Sequence, residues 1–464
     1  MNPVGNSVAE SAIRISHRSS DHAPHIVVIG AGFTGLAAAY RLTSMGIGVT
    51  LLESDAEVGG LAGSFEVNGG RLEKFYHHWF VTDLHIMQLV KELGDERDVI
   101  LRTSRTGMYF ANNFFNLSTP LDVLRFKPLN YVDRIRLAAM VLRARAVNDW
   151  RQLESITAQD WLIQLGGDTV YKVVWEPLLR GKFGSHAPEV AAVWFWNKLK
   201  LRGGSRNRRG NEVLAYYRGG FAALARRMAA EIVAKGGVIL TGTAARALLV
   251  NDNRVTGVET ARGSIEADAV IATPALPIIA DLMRPYIAAD YADQLCKIQY
   301  LANLCVVLEL DRSLSEIYWL NVNDPAFPFV GVIEHTNFEP IATYGGRHIV
   351  YLSKYLAESD PLYTMSDAEM LEYCIPHLRR MFPDFVRSWI RASHVWHARF
   401  AQPIVTRGYR DLIPSTETPL EGFYIASMAQ IFPEDRGTNY AVREGNAIAR
   451  KVSELVLRSR SAPA

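Results

Sequence analysis

Short apolar runs punctuated by glycine begin at residue 25, and the first of them sets the architecture. His25–Ile29 reads as a buried parallel strand, Leu36–Ser44 as an alanine-rich helix, and Val49–Leu52 as a second buried strand ending at Glu53. Ser64–Val67 reads as a strand closed by the turn Asn68-Gly69-Gly70. Residues 82–213 are predicted to be mainly helical. Asp83–Leu93 is stopped by Gly94, and Tyr131–Val147 sets its apolar positions against Arg134, Arg136, Arg143 and Arg145. Thr157 with Asp160 has the form of a capping box, its helix ends at Gly166-Gly167, and Pro177 interrupts the next segment. A helix begins near Gly219-Gly220 and stops at Gly236-Gly237. After it come a strand at Val238–Leu240, a hairpin around Asn253 and a strand within Ala267–Pro274. Leu304–Leu310 and His348–Tyr355 alternate as antiparallel strands, residues 366–381 read as a helix, and a long helix runs through Gly445.

Composition changes this picture little. The 464 residues, 49% hydrophobic and 21% charged, can bury a core large enough for two domains. A net charge of +2 does not point to nucleic acid. Cys296, Cys305 and Cys374 form no C-x-x-C pair and no metal-ligand spacing. They fit buried apolar roles in a reducing, cytoplasmic compartment, and no metal is expected. No run approaches the roughly 18 apolar residues a membrane helix needs. Residues 1–23 read as a polar, disordered leader and 458–464 as a disordered tail.

The chemistry starts between the first strand and helix. Gly30, Gly32 and Gly35 stand in G-x-G-x-x-G order. The first allows a sharp turn, the second lets backbone approach a pyrophosphate, and the third lets helix and sheet pack closely. The helix start, from Ala31 and Phe33 to Thr34, offers free N–H groups and a favourable dipole to phosphate. Glu53 falls where a carboxylate accepts ribose hydroxyls, and it would repel a 2′-phosphate, disfavouring NADP. A ligand-free glycine turn is the plain alternative, but strand, helix, second strand and acid all stand in their required context.

Beyond Glu53, the loop Glu57-Val58-Gly59-Gly60-Leu61-Ala62-Gly63-Ser64 resembles the E-x6-G-G extension of the flavin-containing amine oxidoreductase superfamily. Leu61 stands where many amine oxidases have arginine, so the loop is more similar to the desaturase and mutase branches. The resemblance implies an α/β fold: a two-part Rossmann-like FAD-binding domain with an interleaved α+β substrate domain, as in p-hydroxybenzoate hydroxylase and amine oxidases. The FAD domain would comprise residues 24–81, 214–280 and 405–457, and the substrate or cap domain 82–213 and 281–404. It further implies non-covalent FAD, with Gly59, Gly60 and Leu61 along the pyrophosphate and ribityl chain, and Ala245 near the adenine. His77 or His78 would approach the flavin ring, and Arg436, Gly437, Thr438 and Asn439 its pyrimidine edge. Ser427-Met428 replaces the family's closing Gly-Asp, removing its acidic contact.

Two features read two ways. His77 and His78 are either flavin-proximal catalytic groups or structural histidines of an aromatic cluster. Lys198, Lys200, Arg202, Arg206, Arg208 and Arg209 follow Trp194-Phe195-Trp196 as a solvated basic loop, a grip for an anionic substrate, or a peripheral membrane contact. Lys354 reads as a surface residue. The expected function is hydride transfer from a hydrophobic, phosphate-bearing small molecule to flavin N5. The alternatives are a flavin-dependent mutase without net redox change and a flavin-binding scaffold without turnover. Nothing in the sequence fixes an oligomeric state.

Overall fold

A computed structural model describes residues 23–116, 120–204 and 212–461. The first strand, His25–Ile29, is buried along its whole length because it pairs in parallel on both sides, with Gly48–Leu52 and with Ala269–Ala272. Val238–Leu240 and Phe423–Ile425 complete a five-stranded parallel sheet at its two edges. Its strands therefore come from three distant stretches of chain.

Two helices lie together on one face of this sheet. The glycine-loop helix, Phe33–Ser44, is lined with alanines, and the closing helix, Thr438–Ser461, sets Gly445 against it. A Cβ at Gly445 would come within 2.3 Å of the Thr34 carbonyl oxygen, so only glycine permits this approach. The closing helix runs to Ser461, and the expectation of a disordered tail from residue 458 is corrected there. Arg460 anchors this last turn through two 3.0 Å bonds to Asp268.

The second large sheet has seven strands, in the order 390–403, 300–310, 348–356, 331–334, 319–322, 106–110 and 113–116. All pairs are antiparallel except Trp319–Val322 with Thr106–Phe110. The region predicted as mainly helical thus also contributes strands at Val99–Thr103, Thr106–Phe110 and Asn113–Asn116. A three-stranded sheet joins Trp79–Phe80, Val213–Tyr217 and Val99–Thr103 across two of the expected domain limits. The helices Glu176–Phe183 and Ala192–Gly204, from the stretch expected to be the cap, reach the start of the closing helix through Lys182 and Lys198 at Asp435.

Cys305 and Cys374 are buried as expected, whereas Cys296 is exposed. Among the described residues no helix is long and apolar enough to cross a membrane, and no group of three His, Cys, Asp or Glu is placed to hold a metal. The leader up to residue 22 lies outside the described residues.

Candidate active site

The chain leaves the first strand at Gly30, whose φ of +93° is a turn conformation that favours glycine. The helix beyond it has Gly32 as N-cap, no side-chain cap and no acid in its first turn. Its leading N–H groups are therefore left for an anion. A Cβ at Gly35 would sit 1.8 Å from the Gly30 carbonyl oxygen, so helix and turn can touch only through glycine.

The second loop crosses the first. Gly59 donates its N–H to the Ala31 carbonyl at 2.8 Å, and a Cβ at Gly60 would lie 3.1 Å from Gly32 Cα. Leu61 sits half-buried in a short 3₁₀ turn beside them. The Phe33 ring packs on Phe221 at 6.0 Å, and the Thr34 carbonyl lies under Gly445.

Glu53 is buried and locked. It accepts the Ala31 N–H at 2.7 Å, the Asp55 N–H at 3.0 Å and the Ser54 hydroxyl at 3.1 Å. A carboxylate has about four acceptor positions, leaving capacity for a ribose hydroxyl. Thr243 donates its N–H to the Glu53 carbonyl at 2.7 Å, which brings half-exposed Ala245, two residues on, to the same end of the cradle.

The closing helix lies parallel to the glycine-loop helix, since its C-terminal Arg460 reaches Asp268 below the first strands. From Gly445, seated beside Thr34, back to Thr438 is about 10 Å at 1.5 Å per residue. The helix start therefore projects past the phosphate cradle. Around it, Tyr76, His77, Arg436, Gly437 and Thr438 keep partial exposure although they lie deep in the protein. A Cβ at Gly437 would meet nothing within 4 Å, so open space lies beside this helix start. The Asn439 side-chain oxygen accepts the His85 and Ile86 N–H groups at 2.9 and 3.1 Å and so caps another helix, which leaves the expected backbone contact to a ligand unaffected. Ser427 donates its N–H to the Gln430 side chain at 2.7 Å, closing a 3₁₀ turn where the family places its acid.

The two histidines separate. His77 Nδ1 lies 2.5 Å from the Phe75 carbonyl oxygen, a pure acceptor, so Nδ1 carries the proton and Nε2 is left as an acceptor. Burial brings its pKa down to about 4, assisted by Arg436 and opposed by the Phe75 carbonyl. His78 instead bonds the Tyr318 hydroxyl at 3.0 Å and packs edge-on to Trp319 and Phe80, the structural reading.

The basic stretch is also divided. Lys200 is exposed over the Trp196 ring at 4.7 Å, which fits a solvated face. The Arg202 side chain and all of Arg206, Arg208 and Arg209 lie outside the described residues. Lys198 turns inward and bonds Asp435 at 2.5 Å, with Lys182 3.4 Å from the same oxygen. Trp194 and Gln402 each donate to the other oxygen of Asp435 at 3.0 Å. Burial alone would raise the Asp435 carboxyl, but Lys182, Lys198 and Arg436 hold it well below the usual range. Burial brings Lys182 down to about 8, with Asp435 opposing.

Sequence reasoning missed Lys182 and Asp435. The one local signal was the four-residue spacing of Trp194 and Lys198, which puts both on one helix face. Lys354 also differs from expectation, being part-buried, and it lines a cavity of about 650 Å³ with Tyr355.

Two crossing glycine loops, an uncapped helix start, a locked acid and a second helix start beside open space fit a flavin dinucleotide. This defines a two-part FAD-binding protein. The family model for flavin containing amine oxidoreductases matches residues 33–453, and the chain belongs to that family, whose cofactor is non-covalent FAD. It is similar to zeta-carotene desaturase of Arabidopsis thaliana, 26% identical over 33% of this chain and 32% of that one. It also matches protoporphyrinogen oxidase 2 of Arabidopsis thaliana, 52% identical over 21% of this chain and 19% of that one. The chain spans about a third of the length of the curated desaturases it matches. A reduced UDP-galactopyranose mutase shares the fold, with a TM-score of 0.74, 16% identity and coverage of 93% and 96% of the two chains.

Proposed function

We propose that this protein is an FAD-dependent oxidoreductase that desaturates or oxidises a hydrophobic, anion-bearing small molecule. The observation that carries the reading is the open space beside Gly437 at the start of the closing helix, together with the deep but partly exposed side chains of Tyr76, His77 and Arg436. The family and the desaturase and oxidase relatives support it. When bound, FAD supplies a hydride acceptor at N5.

The protein's own part is orientation and exclusion of water. Gly30–Gly35 and Glu53 hold the dinucleotide end. The start of the closing helix presents its N–H groups and dipole to negative charge at the ring. His77, with a pKa of about 4, is too weak a base for proton abstraction near neutral pH. Its role is to accept a hydrogen bond at Nε2. The assignment of His77 as a flavin neighbour, and of Glu53, Ala245 and Arg436 as cofactor contacts, belongs to this proposal.

The test is anaerobic titration of the yellow holoprotein with polyene, tetrapyrrole and amine substrates, each with and without an anionic group. Bleaching of the flavin by a hydrophobic anion is expected. Turnover only after pre-reduction, with no acceptor consumed, would replace this reading with the mutase alternative. A stable flavin spectrum with every substrate would favour the scaffold.

A further inference from the structure

Three cations converge on one carboxylate where the cap meets the closing helix. Asp435 takes Lys198 and Lys182 on one oxygen and Trp194 and Gln402 on the other, so its acceptor positions are filled. Arg436 donates to the Ala401 carbonyl at 2.8 Å and the Tyr355 hydroxyl at 2.7 Å, neither of them charged. Among the described residues no other carboxylate pairs with these three cations. Asp83, the next acid to act on Lys198, is committed to the Phe80 N–H at 2.9 Å. Glu434 pairs with Arg443 at 3.0 Å.

The cluster therefore carries uncompensated positive charge deep in the protein, an arrangement costly to maintain without a counter-ion. It also has spare donors, because each ammonium has three N–H groups and a guanidinium five. Asp435 keeps 4% side-chain exposure, whereas Lys182 and Lys198 keep 20% and 37%. Burial is nevertheless the largest influence on both lysines. Tyr355 links the cluster to the neighbouring cavity of about 650 Å³: its ring lies 5.3 Å from the Lys182 ammonium and lines that cavity with apolar Phe183, Leu301 and Phe329 and charged Arg180, Asp324 and Lys354.

We propose that Lys182, Lys198 and Arg436 seat an oxyanion of the substrate, a phosphate or a carboxylate, with the rest of the molecule in the mixed polar and apolar cavity beyond Tyr355. Asp435 is the fixed strut that holds the two lysines together. The proposal rests on the FAD-oxidoreductase reading. It accounts for both lysines coming from the cap and the arginine from the start of the closing helix. An anion held there spans the boundary between cap and FAD cradle.

The experiment titrates FAD-loaded protein with inorganic phosphate, pyrophosphate and acetate, following the flavin absorbance and, separately, tryptophan fluorescence. Saturable changes are expected in the unmodified protein, with affinity at least tenfold weaker in Lys182→Met and in Lys198→Met. Lys198→Arg, which keeps the charge, should retain binding if Lys198→Met proves unstable. Response to phosphate and pyrophosphate alone supports a phosphate-bearing substrate, and response to acetate as well supports a carboxylate. Holoprotein that binds none of the three overturns the proposal while leaving the flavin reading intact. Unchanged anion affinity with an altered flavin reduction potential in the Met variants also overturns it, because the cluster would then serve the cofactor. Protein that cannot be loaded with FAD overturns the underlying reading instead.

Discussion

In the glycine cradle, negative charge is to be met by backbone: an uncapped helix start, two crossing loops and an acid whose oxygens are already tied to that backbone. In the seam between cap and closing helix, charge is met by side chains: two lysines and an arginine around Asp435. The first device is rigid and has no titrating cation. The second is built of long side chains, depends on pH, and comes apart if its single carboxylate is removed. That contrast suits a permanent cofactor on one side and an exchanging substrate on the other.

The sharpest way to break the seam is Asp435→Asn. It leaves the buried lysines without their partner, and a loss of about 3–5 kcal/mol is expected. Denaturant unfolding measures it, and an unchanged midpoint would show that Asp435 braces nothing. Titration of the wild type gives the sign. The folded Asp435 carboxyl is depressed, so its contribution is present above the unfolded value and lost as pH falls through the folded one. Lys182 titrates at about 8 rather than 10.5, so between these values the unfolded chain binds more protons and this group's contribution rises with pH. Facing it are Asp435, Lys198, Arg436 and Tyr355. Added phosphate should therefore raise Tm at pH 7 and do so less at pH 10, and equal shifts would remove Lys182 from the site.

The cradle breaks next, at Gly35→Ala. The new Cβ would lie 1.8 Å from backbone that cannot move aside, and about 3 kcal/mol of stability and most FAD occupancy should be lost. Gly437→Ala is the control, since its Cβ meets nothing within 4 Å. Stability should stay within about 1 kcal/mol of wild type while flavin affinity falls. Equal unfolding midpoints for the two variants would refute the steric account.

The difference between the regions also explains what could be read beforehand. The cradle is written in nearby residues: Gly30, Gly32, Gly35, Glu53, Gly59 and Gly60 fall within one strand-helix-strand unit and the loop that follows it, and each spacing translates directly into a contact. The closing helix was readable for the same reason, although its length past residue 457 was not. Its last turn is fixed by Arg460 meeting Asp268, nearly two hundred residues away in the chain. The seam joins Lys182, Lys198 and Asp435, which no local period connects. Lys198 looked like one of six solvated cations because its neighbours along the chain are basic, while its neighbours in space are Asp435 and Trp194.

A gentler probe of the cradle is Glu53→Ala. Its carboxylate is predicted to hold the ribose, so FAD affinity should fall by about 1–3 kcal/mol, the worth of a charge-assisted hydrogen bond. Equilibrium reconstitution of apoprotein gives the value. Because Glu53 also ties down Ala31 and Asp55, Glu53→Gln separates the roles. The amide keeps an acceptor and should recover part of the affinity, and failure to recover any would point to loop order alone.

The smallest effect concerns His77, which stands between the two regions. If it were an ordinary base, kcat/KM would fall as pH dropped through the unperturbed imidazole range. Burial and Arg436 place its pKa near 4 instead, and Nδ1 is committed to the Phe75 carbonyl. The neutral ring then persists from about pH 5 upward, and any acid limb near 6.5 must belong to another group. His77→Phe keeps the packing on Phe221 while removing both nitrogens. Loss of one neutral hydrogen bond, about 1 kcal/mol, should slow turnover roughly fivefold without changing the shape of the pH profile between about 5 and 8. An inflection near 6.5 present in wild type and absent in His77→Phe would make His77 a proton carrier after all, and would require a more polar surround than Phe75, Phe221 and Arg436 provide.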